Sequence, residues 1–178
     1  MNSNPIDQST GQTPAPVSNM SSRRLQLVWS IKREPATVIK VAFASTDRSR
    51  VNQHFGAAEG FVVYEVTPDK ATLVGVAEFA EEAMDGNEDK LSAKVDFLAG
   101  CAAVYVMAIG ASAIKKLMAG GVQPIRINEV DSIDDLLAEI SKAMSEGGVA
   151  WIDRAIAAQT KARDEDRFAS MEEEGWQG

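Results

Sequence analysis

The chain has 178 residues, 45% of them hydrophobic, enough for one buried core of roughly 100–150 residues with some chain left over. Acidic residues outnumber basic ones 26 to 18, and the net charge of -8 repels polyanions, which argues against general nucleic-acid binding. The single cysteine, Cys101, cannot form an internal disulfide, and no apolar run suits a signal peptide or a membrane span, so the expectation is a soluble cytoplasmic protein.

Taken in chain order, the opening "MNSNPIDQSTGQTPAPVSNMSS" is rich in Ser, Asn, Gln, Thr and Pro and cannot offset its own ordering entropy. The next stretch, "RRLQLVWSIKREPATV", mixes basic residues with Leu25, Leu27, Val28, Trp29 and Ile31, a composition suited to docking on the body or on a partner. Residues 1–36 are therefore read as a disordered or loosely docked extension. The β-branched run "TVIKVAFAS" predicts a buried strand from Thr37 to Phe43. "FVVYEVTPDKATLVGVAEF" predicts a hairpin, Phe61 to Val66 and Thr72 to Phe79, turned by Pro68 and Asp69.

"NEDKLSAKVDFLAG" sets Leu91, Val95 and Leu98 on one helical face and stops at Gly100. The acids around its start, Glu81, Glu82, Asp85, Glu88 and Asp89, suit an exposed helix entry as well as they suit a metal. "AAVYVMAIG" then reads as a strand, "ASAIKKLMAGG" as a helix bearing Ile114, Leu117 and Met118, and "VQPIRI" as a strand. The helix in "DSIDDLLAEISKAM" has a stripe of Ile133, Leu136, Leu137, Ile140 and Met144, with Asp131 or Ser132 as its cap. Beyond Gly148, Trp151, Ile152, Ala155 and Ile156 indicate one more amphipathic helix in a C-terminal tail, residues 148–178. The order β-β-β-α-β-α-β-α predicts an α/β fold: a single domain, residues 37–147, with a mixed five-stranded sheet flanked by helices.

Ligands of open α/β sheets sit beyond the carboxyl ends of the strands, where loops diverge. One such loop, "STDRSRVNQHFG", holds Arg48, Arg50, Asn52, Gln53 and the chain's one histidine, His54. The other, "AIGAS", contains Gly110 at a helix start whose first amides, at Ala111 and Ser112, lack intrahelical partners and can receive an anion. If neighbouring strands carry both loops, imidazole, guanidiniums and helix start converge on one spot. Plainer readings remain open: His54 as a hydrogen-bonded loop residue, Arg48 and Arg50 as solvated charges, Gly110 as turn geometry and Cys101 as packing.

Three stretches, "VAFAS.D...V.QHFG", "NEDKLSAKVDFLAGCAAVYVMAIGASAIKKLMAGGVQPI" and "RFASMEEEGW", resemble the dinitrogenase iron-molybdenum cofactor biosynthesis family, the group that includes NifX, NafY, NifY and the C-terminal domain of NifB. The likeness covers roughly residues 37–176. It implies a ribonuclease-H-like arrangement and a non-enzymatic protein that transiently binds iron-sulfur precursors of the iron-molybdenum cofactor. It further implies transfer between NifB and a NifEN-type scaffold, with apo-dinitrogenase as another partner and no nucleic acid or membrane. The histidine of the family's HFG motif falls on His54, the expected cluster contact.

A cluster built on a protein normally takes four thiolates, which one cysteine cannot supply. A preassembled anionic cluster needs less: one neutral imidazole, here His54, and a cationic cradle of Arg48, Arg50, Asn52 and the amides near Gly110 and Ser112. Cys101 is a second candidate metal contact, though at the start of its strand it lies at the wrong edge of the sheet. Two other readings are carried forward. One is a chaperone or regulator of apo-nitrogenase acting through protein contacts. The other is a metal-dependent nuclease or phosphotransferase, for which Asp47, Glu65 and Glu78 are the nearest acids and the strand "AAVYVMA" supplies none.

Overall fold

A computed structural model of the chain describes residues 37–79 and 87–174. The extension expected over residues 1–36 and the acidic stretch 81–86 lie outside the described residues. The elements, in order, are β1 (Ile39–Ala44), β2 (Arg50–Val51), β3 (Gly60–Val66), β4 (Ala71–Glu78), α1 (Asn87–Phe97), β5 (Ala103–Val106), α2 (Ala111–Ala119), β6 (Gln123–Arg126), β7 (Asp131–Ser132), α3 (Ile133–Glu146) and α4 (Ala150–Glu174). Among the described residues no helix is long and apolar enough to cross a membrane.

The main sheet has five strands in the order β4-β3-β1-β5-β6. β1 is antiparallel to β3 and β3 to β4, whereas β5 is parallel to β1 and β6 to β5. Counted within this sheet alone the order is 3-2-1-4-5, the mixed, ribonuclease-H-like arrangement expected from the sequence. The short pair β2 and β7 was not anticipated: Arg50 lies opposite Ser132 and Val51 opposite Asp131. Two-residue strands carry no periodicity, so no apolar pattern announces them.

Strand alternation divides the core between two layers of helices. Ile39, Val41 and Phe43 of β1 and Ala103 and Tyr105 of β5 pack with Ile133, Leu136, Leu137 and Ile140 of α3 and Ile152 of α4. Ala42, Ala44, Val104 and Val106 point the other way, toward Leu98, Ala113 and Leu117 from the α1 and α2 side. Phe43 stacks on Tyr105 at 5.2 Å, and Tyr105 meets Trp151 edge-on at 6.3 Å, which ties the start of α4 to the sheet. α3 is capped as read from the sequence: the Ser132 hydroxyl accepts from Asp135 N at 3.4 Å, with Asp134 and Asp135 in the first turn. Met118 lies outside the core. The buried line of α2 is Ala113 and Leu117, one turn apart, and Met118, a third of a turn further round, is 56% exposed.

The hairpin depends on Gly60, because a Cβ there would lie 2.8 Å from the carbonyl oxygen of Ser45 and 3.4 Å from that of Ala77. Both obstacles are backbone, so the strands themselves must move. At Gly56 a Cβ would meet nothing within 4 Å, and φ there is not positive. Gly60→Ala should therefore destabilise the protein by about 1–3 kcal/mol, whereas Gly56→Ala should change it by less than about 0.5 kcal/mol. Urea unfolding of the two variants checks this contrast; equal midpoints contradict it.

Candidate functional site

The carboxyl ends of β1 and β5 are neighbours from which the chain departs in opposite directions, toward β3 on one side and β6 on the other. Such a switch point leaves a crevice between diverging loops. After β1 the chain makes an excursion over residues 45–51 and returns where Asn52 N donates to Ala44 O at 3.2 Å. Asn52 closes the excursion with its side chain too: Thr46 N donates to its Oδ1 at 3.0 Å, and its Nδ2 donates to Thr46 Oγ1 at 2.8 Å.

The returning segment then pairs with the chain that continues β5. Met107 N donates to Gln53 O at 2.9 Å, and Phe55 N donates to Ala108 O at 2.8 Å. These bonds flank His54 and go to successive residues, Met107 and Ala108, one residue offset from regular parallel pairing. Gln53 adds a third restraint, its Oε1 accepting from Glu59 N at 3.0 Å and Gly60 N at 3.2 Å. Next to it Phe55 is fully buried, 5.6 Å from Phe61 between ring centroids. His54 is exposed between these fixed neighbours. Its backbone is held and its imidazole faces solvent.

Residues 107–110 lead directly into α2, so the loop carrying His54 lies against the loop carrying Gly110. Gly110 is the N-cap of α2, with no side-chain cap and no acid in the first turn. Gly110, Ala111 and Ser112 are exposed. The backbone at Gly110 is ordinary, φ -81 and ψ 157, and a Cβ there would meet nothing within 4 Å. Neither strain nor crowding explains glycine at 110 or at 56. What both supply is bare backbone on the two loops that meet beside His54.

The two arginines are less available than the sequence implied. Arg48 Nη2 donates to Glu78 Oε1 at 2.8 Å, which directs it toward the end of β4. Arg50 donates through Nε at 3.0 Å and Nη2 at 2.9 Å to Asp47 Oδ2. A groove of about 720 Å³ opens beside the first pair, lined by Ser45, Thr46, Arg48, Glu78 and Phe79 among others, and includes none of His54, Gly110 and Ser112. Cys101 lies at the opposite end of β5 from His54. It is buried, and that burial, opposed by nearby Lys40, pushes its thiol up to about 11.

Asp47 organises the excursion. Its Oδ1 accepts from Ser49 N and Arg50 N, both at 2.9 Å, and from the Ser45 hydroxyl at 3.2 Å. Ser45 Oγ accepts in turn from Arg48 N at 2.9 Å, and Arg48 is held at φ 61, an uncommon backbone for a residue with a side chain. The backbone bonds from Ser49 and Arg50, followed by the Arg50 side chain, hold the Asp47 carboxyl far below its usual range. Glu65 pairs with Lys40 at 3.7 Å, and Glu78 with Arg48. The acids considered for hydrolysis are thus committed to separate partners. Among the described residues no three of His, Cys, Asp and Glu converge as a metal-binding group.

Comparison with known proteins gives a consistent family. The family model described as dinitrogenase iron-molybdenum cofactor matches residues 37–143. The protein NifX of Azotobacter vinelandii is 46% identical over 157 residues, covering 88% of this chain and 99% of that protein. The FeMo cofactor biosynthesis protein NifB of Frankia alni is 39% identical over 111 residues, covering 60% of this chain but 21% of its own length. The crystal structure of PH0822 superposes with a TM-score of 0.47 at 24% identity, over 58% of this chain and 88% of that one.

The geometry of the excursion makes a pH test possible. Because its pKa is depressed, Asp47 contributes fully above the ordinary carboxyl value of 3.8, and its contribution is lost as the pH falls from there toward the folded value. Asp47→Asn should lower stability by a constant margin near neutrality, with the margin shrinking below pH 3.8. Thermal unfolding of both proteins across the acid range checks it; a margin that persists unchanged in acid contradicts the role of the charge.

Proposed function

We propose that this chain, which belongs to the dinitrogenase iron-molybdenum cofactor family, takes part in the biosynthesis of that cofactor as a carrier without catalysis of its own. It receives an iron-sulfur precursor cluster from NifB and releases it to a NifEN-type scaffold. The observation that carries this reading is the setting of His54: an exposed imidazole whose two neighbours are bonded to Met107 and Ala108.

The chemistry follows from what the cargo already has. A finished cluster brings its own bridging sulfides and a negative charge, so the carrier supplies a terminal nitrogen donor and a hydrogen-bonding surround. His54 is that donor, and the bare backbone at Gly56 and Gly110 leaves room for an object larger than a side chain. The uncapped start of α2 directs its first amides and the positive end of its dipole at the anion. Asn52 holds the excursion closed. Arg48 and Arg50 act second, because each must first exchange a carboxylate partner: for Arg48 the exposed Glu78, a weak pair, and for Arg50 the loop-organising Asp47. A single donor also keeps attachment loose, which favours release.

The test is anaerobic titration of metal-free protein with purified precursor cluster, followed by absorption and electron spin resonance. Wild type should saturate, and His54→Ala should bind more than about tenfold more weakly. Equal affinity of the two proteins would falsify the ligand role. Undiminished pulldown of nitrogenase components by His54→Ala, with no spectroscopic sign of cluster on wild type, would favour contacts over cargo.

A further inference from the structure

We propose that Lys94 is a positioning residue for the His54 site, setting the turn that follows His54. The inference rests on the carrier reading and adds a residue to it. Lys94 is the one charged side chain that is buried among the described residues, 4% exposed. It occupies the inward stripe of α1, in register with Leu91, Val95 and Leu98, where the periodicity calls for an apolar residue. Its Nζ donates to Gly56 O at 2.7 Å and Phe55 O at 3.4 Å, the two carbonyls next after His54, and lies 5.8 Å from the centre of the Phe79 ring.

Removing an ammonium from water is costly unless the protein replaces its hydration. Two carbonyls, an aromatic face and the last turn of α1, which favours a cation, contribute to replacing it. The carbonyls themselves do not require the lysine. Phe55 O also accepts from Ala58 N at 3.3 Å, and Gly56 is exposed, so water can reach it. A methionine would fill the same stripe without the desolvation. Where a sequence breaks its own pattern beside a site, a task is the usual reason.

That task follows from peptide geometry. In a trans peptide the C=O and N–H point in opposite directions. With the oxygens of Phe55 and Gly56 turned inward to the ammonium, the N–H groups of Gly56 and Ala57 are turned away from it, on an exposed turn adjoining His54. A cation bound at the oxygen polarises each unit and strengthens its N–H as a donor. Lys94 thus orients two donors for an anionic cargo while its own charge stays out of solvent.

The purified iron-sulfur precursor cluster of the titration above serves as the probe, with NMR as the readout on ligand-free protein; one histidine makes the imidazole signals unambiguous. Lys94→Met should shift the His54 imidazole and the Gly56 and Ala57 amide signals before any cluster is added, and should weaken cluster binding on the order of tenfold. Lys94→Arg should recover part of both effects, which a purely structural role does not require. Should Lys94→Met fail to fold, wild type still decides: its Gly56 and Ala57 amides must move when cluster is added. Unmoved amides in bound wild type, or full affinity with unshifted signals in folded Lys94→Met, would overturn the proposal and leave the carrier reading intact. Failure of wild type to bind the cluster at all would instead sink the carrier reading.

Discussion

Two backbone hydrogen bonds, from Met107 N to Gln53 O and from Phe55 N to Ala108 O, determine where the one imidazole of this chain sits. They exist because β5 outlasts β1 as a pairing partner. The register between the two strands runs from Val41 opposite Ala103 to Phe43 opposite Tyr105, and there β1 turns away. The excursion over residues 45–51 then brings the chain back at Asn52, and residues 53–55 take the vacated side of the continuing strand. Each bond contributes only about 1 kcal/mol, but they hold the chain on both sides of His54, and the buried Phe55 anchors it from below. The backbone at His54 is therefore fixed between two bonded neighbours.

This construction separates holding from binding. Everything that holds the loop is turned inward or sideways: Phe55 into the aromatic cluster, Gln53 onto the Glu59 and Gly60 amides, Asn52 onto Thr46, and Asp47 onto its own loop. None of these side chains has to move for His54 to meet a ligand. A rigid frame with an exposed donor loses little conformational entropy on binding, so even one coordinate bond is used efficiently. In the proposed carrier role the same economy would favour release, since only one bond and a set of solvent-exchangeable contacts would have to be given up.

Much of the fold was legible in the sequence because its strands and helices are strongly patterned. "IKVAFA" and "AVYV" are apolar on both faces, as strands covered on both sides must be, and α3 has an unbroken stripe ending in a serine cap. The adjacency of the His54 and Gly110 loops was legible in outline, from the rule that ligand loops follow strand ends. The destinations of Arg48 and Arg50 were not. Ion pairing depends on which carboxylate the fold carries within reach, and Glu78 is thirty residues distant from Arg48 in the chain. Lys94 did leave a trace, a charge in register with Leu91, Val95 and Leu98, but a lysine on a helix ordinarily reads as solvent-facing. Met118 shows the opposite: an apolar residue beside a true core position can be left outside.

The two ends of the sheet differ in a way that bears on iron chemistry. At the carboxyl end lies an exposed nitrogen donor; at the amino end lies the only thiol, buried beside Lys40, Gln123 and Trp151, which line the same groove. A thiolate exposed near the cluster would bind iron more tenaciously than imidazole, and a carrier so equipped would keep its load. Burial pushes the Cys101 thiol up to about 11, so at neutral pH it stays protonated and is a poor ligand as well as a poor nucleophile. Separation by the length of β5 and protonation act together. With the thiol of Cys101 buried, the proposed carrier role falls to the exposed nitrogen of His54, and the loose attachment that role requires would follow from where the fold hides its thiol as much as from where it displays its histidine.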